Sequence, residues 1–133
     1  MTLPRGIRNN NPFNIIDSKI KWQGETGKNV DMKFEEFDTM ENGIRAGMII
    51  LRSYMLKYNL RSIRKIIDRF APTSENDTMA YINAVCKRTG FGRDQVLEFE
   101  KRTICKLTEA ICFHENGGSY ITNEQINAAW EKI

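Results

Sequence analysis

Two patterns of apolar and polar positions divide the chain. Up to Thr39 Gly and Asn are frequent among the apolar positions, and Ile20 to Gly27 and Asp31 to Phe37 read as two short strands or an irregular hairpin around Gly24 and Gly27. Beyond Thr39, a candidate N-cap, the period becomes helical. Ile44, Met48, Leu51 and Met55 predict a long buried helix over Met40 to Tyr58. Ile63, Ile66, Ile67 and Phe70 predict a second over Arg61 to Phe70, ended by Pro72. Ser74 and Asp77 resemble a capping box that would start a third helix near Glu75, with Met79, Ile82, Ala84 and Val85 on its apolar side and Thr89-Gly90 at its end. A short helix is expected over Arg93 to Phe99, and Ile104, Leu107, Ile111 and Cys112 place another over Thr103 to His114, stopped by Asn116-Gly117-Gly118. Thr122 and Gln125 form a second box, opening an amphipathic helix with Ile126, Ala129, Trp130 and Ile133. The expected fold is mainly α, with a small N-terminal hairpin or irregular lobe.

Composition narrows this picture without redirecting it. A chain of 133 residues, 41% hydrophobic and 28% charged, fits one globular domain over 1–133. No apolar run approaches the ~18 residues of a membrane span, and MTLPRGIRNNNPF lacks the apolar stretch of a signal peptide, so synthesis in the cytoplasm is expected. The formal charge of +3 favours acidic partners without naming one. Three cysteines, Cys86, Cys105 and Cys112, sit in helical, largely apolar runs and read as small buried side chains. With one histidine, His114, and no paired ligand spacing, neither a metal nor another cofactor is expected.

The position richest in possible chemistry is Glu115, which follows an apolar helical run and precedes a Gly-rich loop. A carboxyl half buried there would be disfavoured in its charged form and could donate a proton, as a glycosidic leaving oxygen requires. Its other reading is a solvated glutamate at a helix end. His114, the next residue along, projects about 100° away around the helix and reads as a flanking group. Serines are few, and no nucleophile and base form an evident set.

AICFHENGGSYIT resembles the catalytic-glutamate stretch of lytic transglycosylases and glucosaminidases, with Asn116 where Ser is usual. NGIRAGMIILRSYMLKYN and SENDTMAYINAVCKRTG resemble two later helices of the same lysozyme-like superfamily. NNNPFNI, KWQGETG and FEEFDTMENGIRAG look like its Asn-Asn-x-Phe-Gly-Ile core, Trp-x-Gly hairpin and Phe-x-x-Tyr-Asp element, with Phe37 where Tyr is frequent. The glutamate helix comes last here instead of first, so the resemblance implies a circular permutation, which is tolerated where chain ends lie close at the surface. RGIRNNNP also resembles the start of phage and prophage virion proteins.

The resemblance implies a muramidase or lytic transglycosylase, active as a monomer on peptidoglycan glycan strands, with Glu115 protonating the oxygen between N-acetylmuramic acid and N-acetylglucosamine. If a second carboxylate takes part, Glu25 is preferred over Glu35 and Glu36, because WQGETG is short and Gly-flanked; its other reading is a solvated turn glutamate. Tyr81 would line the sugar groove. Asn10 and Asn11 either cap a turn or meet N-acetyl groups, Trp22 and Tyr81 either pack in the core or stack on sugars, and Asn76 and Thr78 either start a helix or touch the groove. Action at the bacterial wall would require virion association, a holin or a secretion system. Two other classes compete: a catalytically inert glycan-binding virion or secretion-apparatus protein, and a nucleic-acid module using Arg61, Arg64, Lys65 and Arg69, the latter not expected.

Overall fold

The computed structural model describes every residue except Met1, Asn29 and Glu75. It is mainly helical: α1 (Arg5–Arg8), α2 (Met40–Arg52), running into a π-helical turn (Ser53–Lys57), α3 (Ile63–Phe70), α4 (Thr78–Thr89), α5 (Lys101–Asn116) and α6 (Asn123–Glu131). Helix α2 packs against α5 and α6, α4 against α3 and α5, and α1 against α5. The apolar periods supply the core. Ile44, Met48, Leu51 and Met55 meet Ile63, Ile66, Ile67, Val85, Ile104, Leu107 and Ile111, all buried.

Local signals account for most of the helix ends. Thr39 caps α2 by accepting from the amide of Asn42, Ser62 caps α3 through Lys65, and Thr122 with Gln125 forms the reciprocal box of α6. Gly90 and Gly117, both left-handed, end α4 and α5. Four expectations are corrected. The start expected at Glu75 lies outside the described residues; α4 begins at Thr78, and its cap is Asp77, which accepts from Ala80, so no Ser74 box forms. Met79 and Ala84 face solvent, because the buried face of α4 is set by Thr78, Tyr81, Ile82, Val85 and Thr89. Arg93 to Phe99 is not helical: its backbone bonds to α3 and the residues before it, with Leu97 donating to Arg61 and Arg64 donating to Arg93. The long helix stops being α at Arg52, where the π turn carries Tyr54 and Met55.

The N-terminal lobe contains no strand among the described residues. Two isolated antiparallel bridges, Ile16 with Phe34 and Glu25 with Phe37, are its only pairings of that kind there. Asp31 explains part of this irregularity: its carboxylate accepts from the amides of Lys33 and Phe34, at 3.0 Å each, and binds Arg5 and Asn9. A turn held this way diverts the chain from a ladder.

An arm, residues 9–15, joins lobe to helices by lying on a glycine track of α2. A Cβ on Gly43 would stand 1.7 Å from the carbonyl oxygen of Asn10, and one on Gly47 would stand 2.1 Å from the Phe13 ring. Only glycine at these positions lets backbone and ring approach so closely. Asn11, fully buried, fixes the arm by donating to the carbonyls of Ile15 and Glu35 and accepting from the amide of Ile15. Among the described residues no helix is long and apolar enough to cross a membrane, and no group of three His, Cys, Asp or Glu could hold a metal ion. The three cysteines are free thiols; Cys112 is buried, while Cys86 and Cys105 are half-buried.

Candidate active site

The penultimate residue of α5 is Glu115. Its helix is anchored at this end by Asn116, whose side-chain amide donates to the carbonyls of Pro12 (2.9 Å) and Cys112 (2.8 Å), joining α5 to the arm. The Glu115 carboxylate is half-buried and held by two neutral donors: Asn14 Nδ2 reaches Oε1 at 2.8 Å, and the Tyr81 hydroxyl reaches Oε2 at 2.7 Å. Asn14 comes from the arm and Tyr81 from α4, so three separate parts of the chain fix one carboxyl group. Such bonds immobilise the oxygens and leave the group's remaining edge to face a ligand.

That edge opens on a cleft of about 400 Å3 between lobe and helices, where Glu115 is the one carboxylate among the described lining residues. Asn14, Ile16, Lys33 and Phe34 form the lobe wall, and Ile50, Tyr54, Phe70 and Asn76 the helical wall. Aromatic faces with a few polar groups suit a sugar, whose rings carry apolar faces and polar edges. A wider depression of about 650 Å3 lies between α4 and α5; among the described residues lining it the one carboxylate, Glu109, is bound to Arg88.

The residues singled out in the sequence fall into distinct places. Tyr81 is 2% exposed, so its ring packs in the core and its hydroxyl alone addresses the site; burial and the neighbouring Glu115 carboxylate hold that hydroxyl well above its ordinary pKa. Asn76 reaches the cleft. Thr78 is buried and donates to the carbonyl of Ala71 at 2.5 Å. Asn10, in left-handed backbone, donates to the carbonyl of Phe37, and Asn11 is buried within the arm, so both build the scaffold. Trp22 is half-buried against the core, and Glu25 accepts from the Trp22 amide at 3.1 Å; neither lines the cleft. His114 lies with its ring 3.9 Å from the Tyr81 ring, centre to centre, and makes no bond to Glu115.

Asn14, Lys33, Phe34 and Tyr54 went unrecognised in the sequence. Only Asn14 left a signal: a non-glycine residue with φ of 53° is most often Asn, and NNNPFN is rich in it. Its partner lies 101 positions away, where no spacing rule reaches.

Glu35 behaves differently from Glu115. It is 5% exposed inside the lobe, and burial, aided by Asp17 and Glu25, pushes its carboxyl up to about 7. The basic stripe is largely engaged: Arg61 pairs with Glu98, Arg64 with Asp94, and Arg69 lies over the rings of Tyr54 and Tyr58.

A small, mainly helical protein with a held carboxylate, Glu115, facing a cleft is thus defined by its geometry. No family model matches the chain. It is 46% identical over 130 residues to Protein P5 of Pseudoalteromonas phage PM2, across 96% of this chain and 80% of that protein. The chain belongs to the family of that phage protein.

Proposed function

We propose that the protein is a phage peptidoglycan-cleaving glycosidase with a permuted lysozyme-like fold, and that it acts as a lytic transglycosylase. The observation that carries this reading is Glu115, held by Asn14 and Tyr81 and, among the described residues, the single carboxylate lining the cleft. Glu115 protonates the oxygen leaving C1 of N-acetylmuramic acid as the C1–O4 bond breaks; its carboxylate then takes the proton of the same sugar's 6-hydroxyl, whose oxygen closes on C1. No water is consumed, and the product is a 1,6-anhydro ring. A hydrolase would use a second carboxylate across the bond. Glu25 and Glu35 do not line the cleft, which supports the one-acid route. Tyr54 and Phe34 supply ring faces for sugars, Asn76 supplies an amide, and Lys33 supplies a cation for an acidic glycan. Kinship with a phage protein supports a role in breaching or lysing the wall.

The test is clearing of purified peptidoglycan by wild type and Glu115→Gln, with released muropeptides weighed by mass spectrometry. Clearing by wild type alone, with products lighter by one water than hydrolytic ones, is expected. Products of hydrolytic mass would restore a second carboxylate or a water route. A folded wild type that releases nothing from several wall types would leave a glycan-binding virion component as the better account.

A further inference from the structure

Around Gly6, at the back of the site, two acceptor oxygens converge without a donor. Asn14 Oδ1 and Asn116 Oδ1 are both buried and unpaired, and each lies 2.6 Å from where a Cβ of Gly6 would stand. A buried oxygen that stays unpaired keeps the full cost of its lost hydration. Asn116 cannot relieve this by turning over, because its amide nitrogen already serves Pro12 and Cys112. Asn14 is oriented by its donation at 2.8 Å to Glu115 Oε1, beside a longer one of 3.4 Å to the Glu115 carbonyl, which is the weaker hold and the one a reversal gives up. The shorter bond exists only while Oε1 is an acceptor.

We propose that Asn14 reverses its side-chain amide when Glu115 takes up a proton, with Asn116 as the acceptor that makes the reversed state complete. With a proton on Oε1, the amide nitrogen of Asn14 would face a donor. Turned over, Asn14 accepts that proton through Oδ1 and gives an N–H to Asn116 Oδ1, so both orphaned oxygens gain partners in one rotation. Asn14 is then a positioning residue in both states of the acid, with a hydrogen bond for carboxylate and carboxyl alike. For a group that alternates between acid and base within a turnover, this removes the loss of a bond at each change. This consequence rests on the proposed glycosidase reading; the rotation itself does not.

Other groups facing Glu115 do not duplicate the device. Tyr81 from α4 donates to the other oxygen, Cys112 within α5 is a buried thiol whose pKa burial and Glu115 push well up, His114 stacks on the Tyr81 ring, and Lys33 stands on the lobe wall of the cleft.

The experiment follows the Asn14 side-chain amide protons of 15N-labelled protein by NMR between pH 8 and pH 3, without substrate. Cross-relaxation with the α protons of Gly6 should appear on the acid side of one transition and be absent on the alkaline side. In Asn116→Ala the reversed amide has no acceptor, so the acid-side signal should fall at least threefold or the transition should move to lower pH. The same pattern at every pH in wild type overturns the proposal, whether a bridging water or a proton placed on Oε2 is the cause. So does a transition indifferent to Asn116→Ala. The wild-type series decides even if that variant does not fold. An inactive enzyme with a working reversal would sink only the glycosidase reading, and an active enzyme with a fixed amide only this one.

Discussion

Glu115 and Glu35 are both drawn away from water, yet their surroundings suit opposite ends. Glu35 lies in the lobe, 5% exposed, with Oε2 unpaired and Asp17 and Glu25 close enough to oppose its charge. Glu115 lies at the end of α5, half-buried, with a donor on each oxygen and one edge on a cleft. Burial, with Asp17 and Glu25, perturbs Glu35 strongly but gives it no path to a substrate. A usable carboxylate needs positioned donors and an open side, so a shifted pKa marks a site only when geometry agrees.

The largest break in this comparison should come from the two isosteric amides. Glu115→Gln should lower wall-clearing activity at least 100-fold, the range of general acid catalysis, while Glu35→Gln leaves it within threefold. Equal losses in turbidity assays would mean that the lobe carboxyl, and not the cleft one, was misjudged. Gly6→Ala comes next, acting on the Glu115 side alone. Its methyl would meet Asn14 Oδ1 and Asn116 Oδ1 at 2.6 Å and the Asn11 carbonyl at 2.8 Å, at a cost of about 1–3 kcal/mol in chemical denaturation. Asn14 should leave Oε1, so activity should fall even at temperatures where the variant is folded. Full activity in the folded variant would show that Asn14 is dispensable.

Much of the helical half was legible in the sequence because its signals are local. Thr39, Thr122 with Gln125, Gly90 and Gly117 act within a few residues of where they stand, and apolar periods separate buried faces from exposed ones. The lobe was illegible for the converse reason. Its form depends on Asp31 reaching Arg5 and on the arm seating against Gly43 and Gly47, contacts that no period announces. The candidate site divides likewise. Glu115 stood out at a helix end before a glycine pair, and Tyr81 stood out by resemblance, though the hydroxyl carries its contact and the ring is core. Asn10 and Asn11 were noticed for their amides, which the fold turns inward, whereas Asn14 of the same run points at the carboxylate.

Stability against pH sharpens the comparison from the other side. Glu35 ordinarily titrates at 4.5 and in the fold at about 7, so between those values the folded chain keeps a proton that the unfolded chain has released. The contribution is therefore present in full below pH 4.5 and is lost as pH rises through 7, by on the order of 1–3 kcal/mol. Glu35→Gln stays neutral throughout and should flatten this decline in urea unfolding at pH 4.5, 6 and 7.5. An unchanged slope would assign the loss to other groups.

The smallest effect expected is that of Tyr81→Phe. The ring is buried and stacked on His114, so the variant keeps the packing and removes only the donor to Oε2. A hydrogen bond to a charged group is worth about 1.5–3 kcal/mol, part of which Asn14 on the other oxygen retains by keeping the carboxylate in place. A fall in kcat of about tenfold, with KM within twofold, is the outcome that a positioning role demands. A rise in KM at constant kcat would instead place the hydroxyl against the sugar, and an unaltered kcat would mean that Asn14 alone suffices to aim Glu115. Either result would reduce the contrast with Glu35 to one of exposure, since two donors on the carboxylate are what distinguish a held group from one that is merely half-buried.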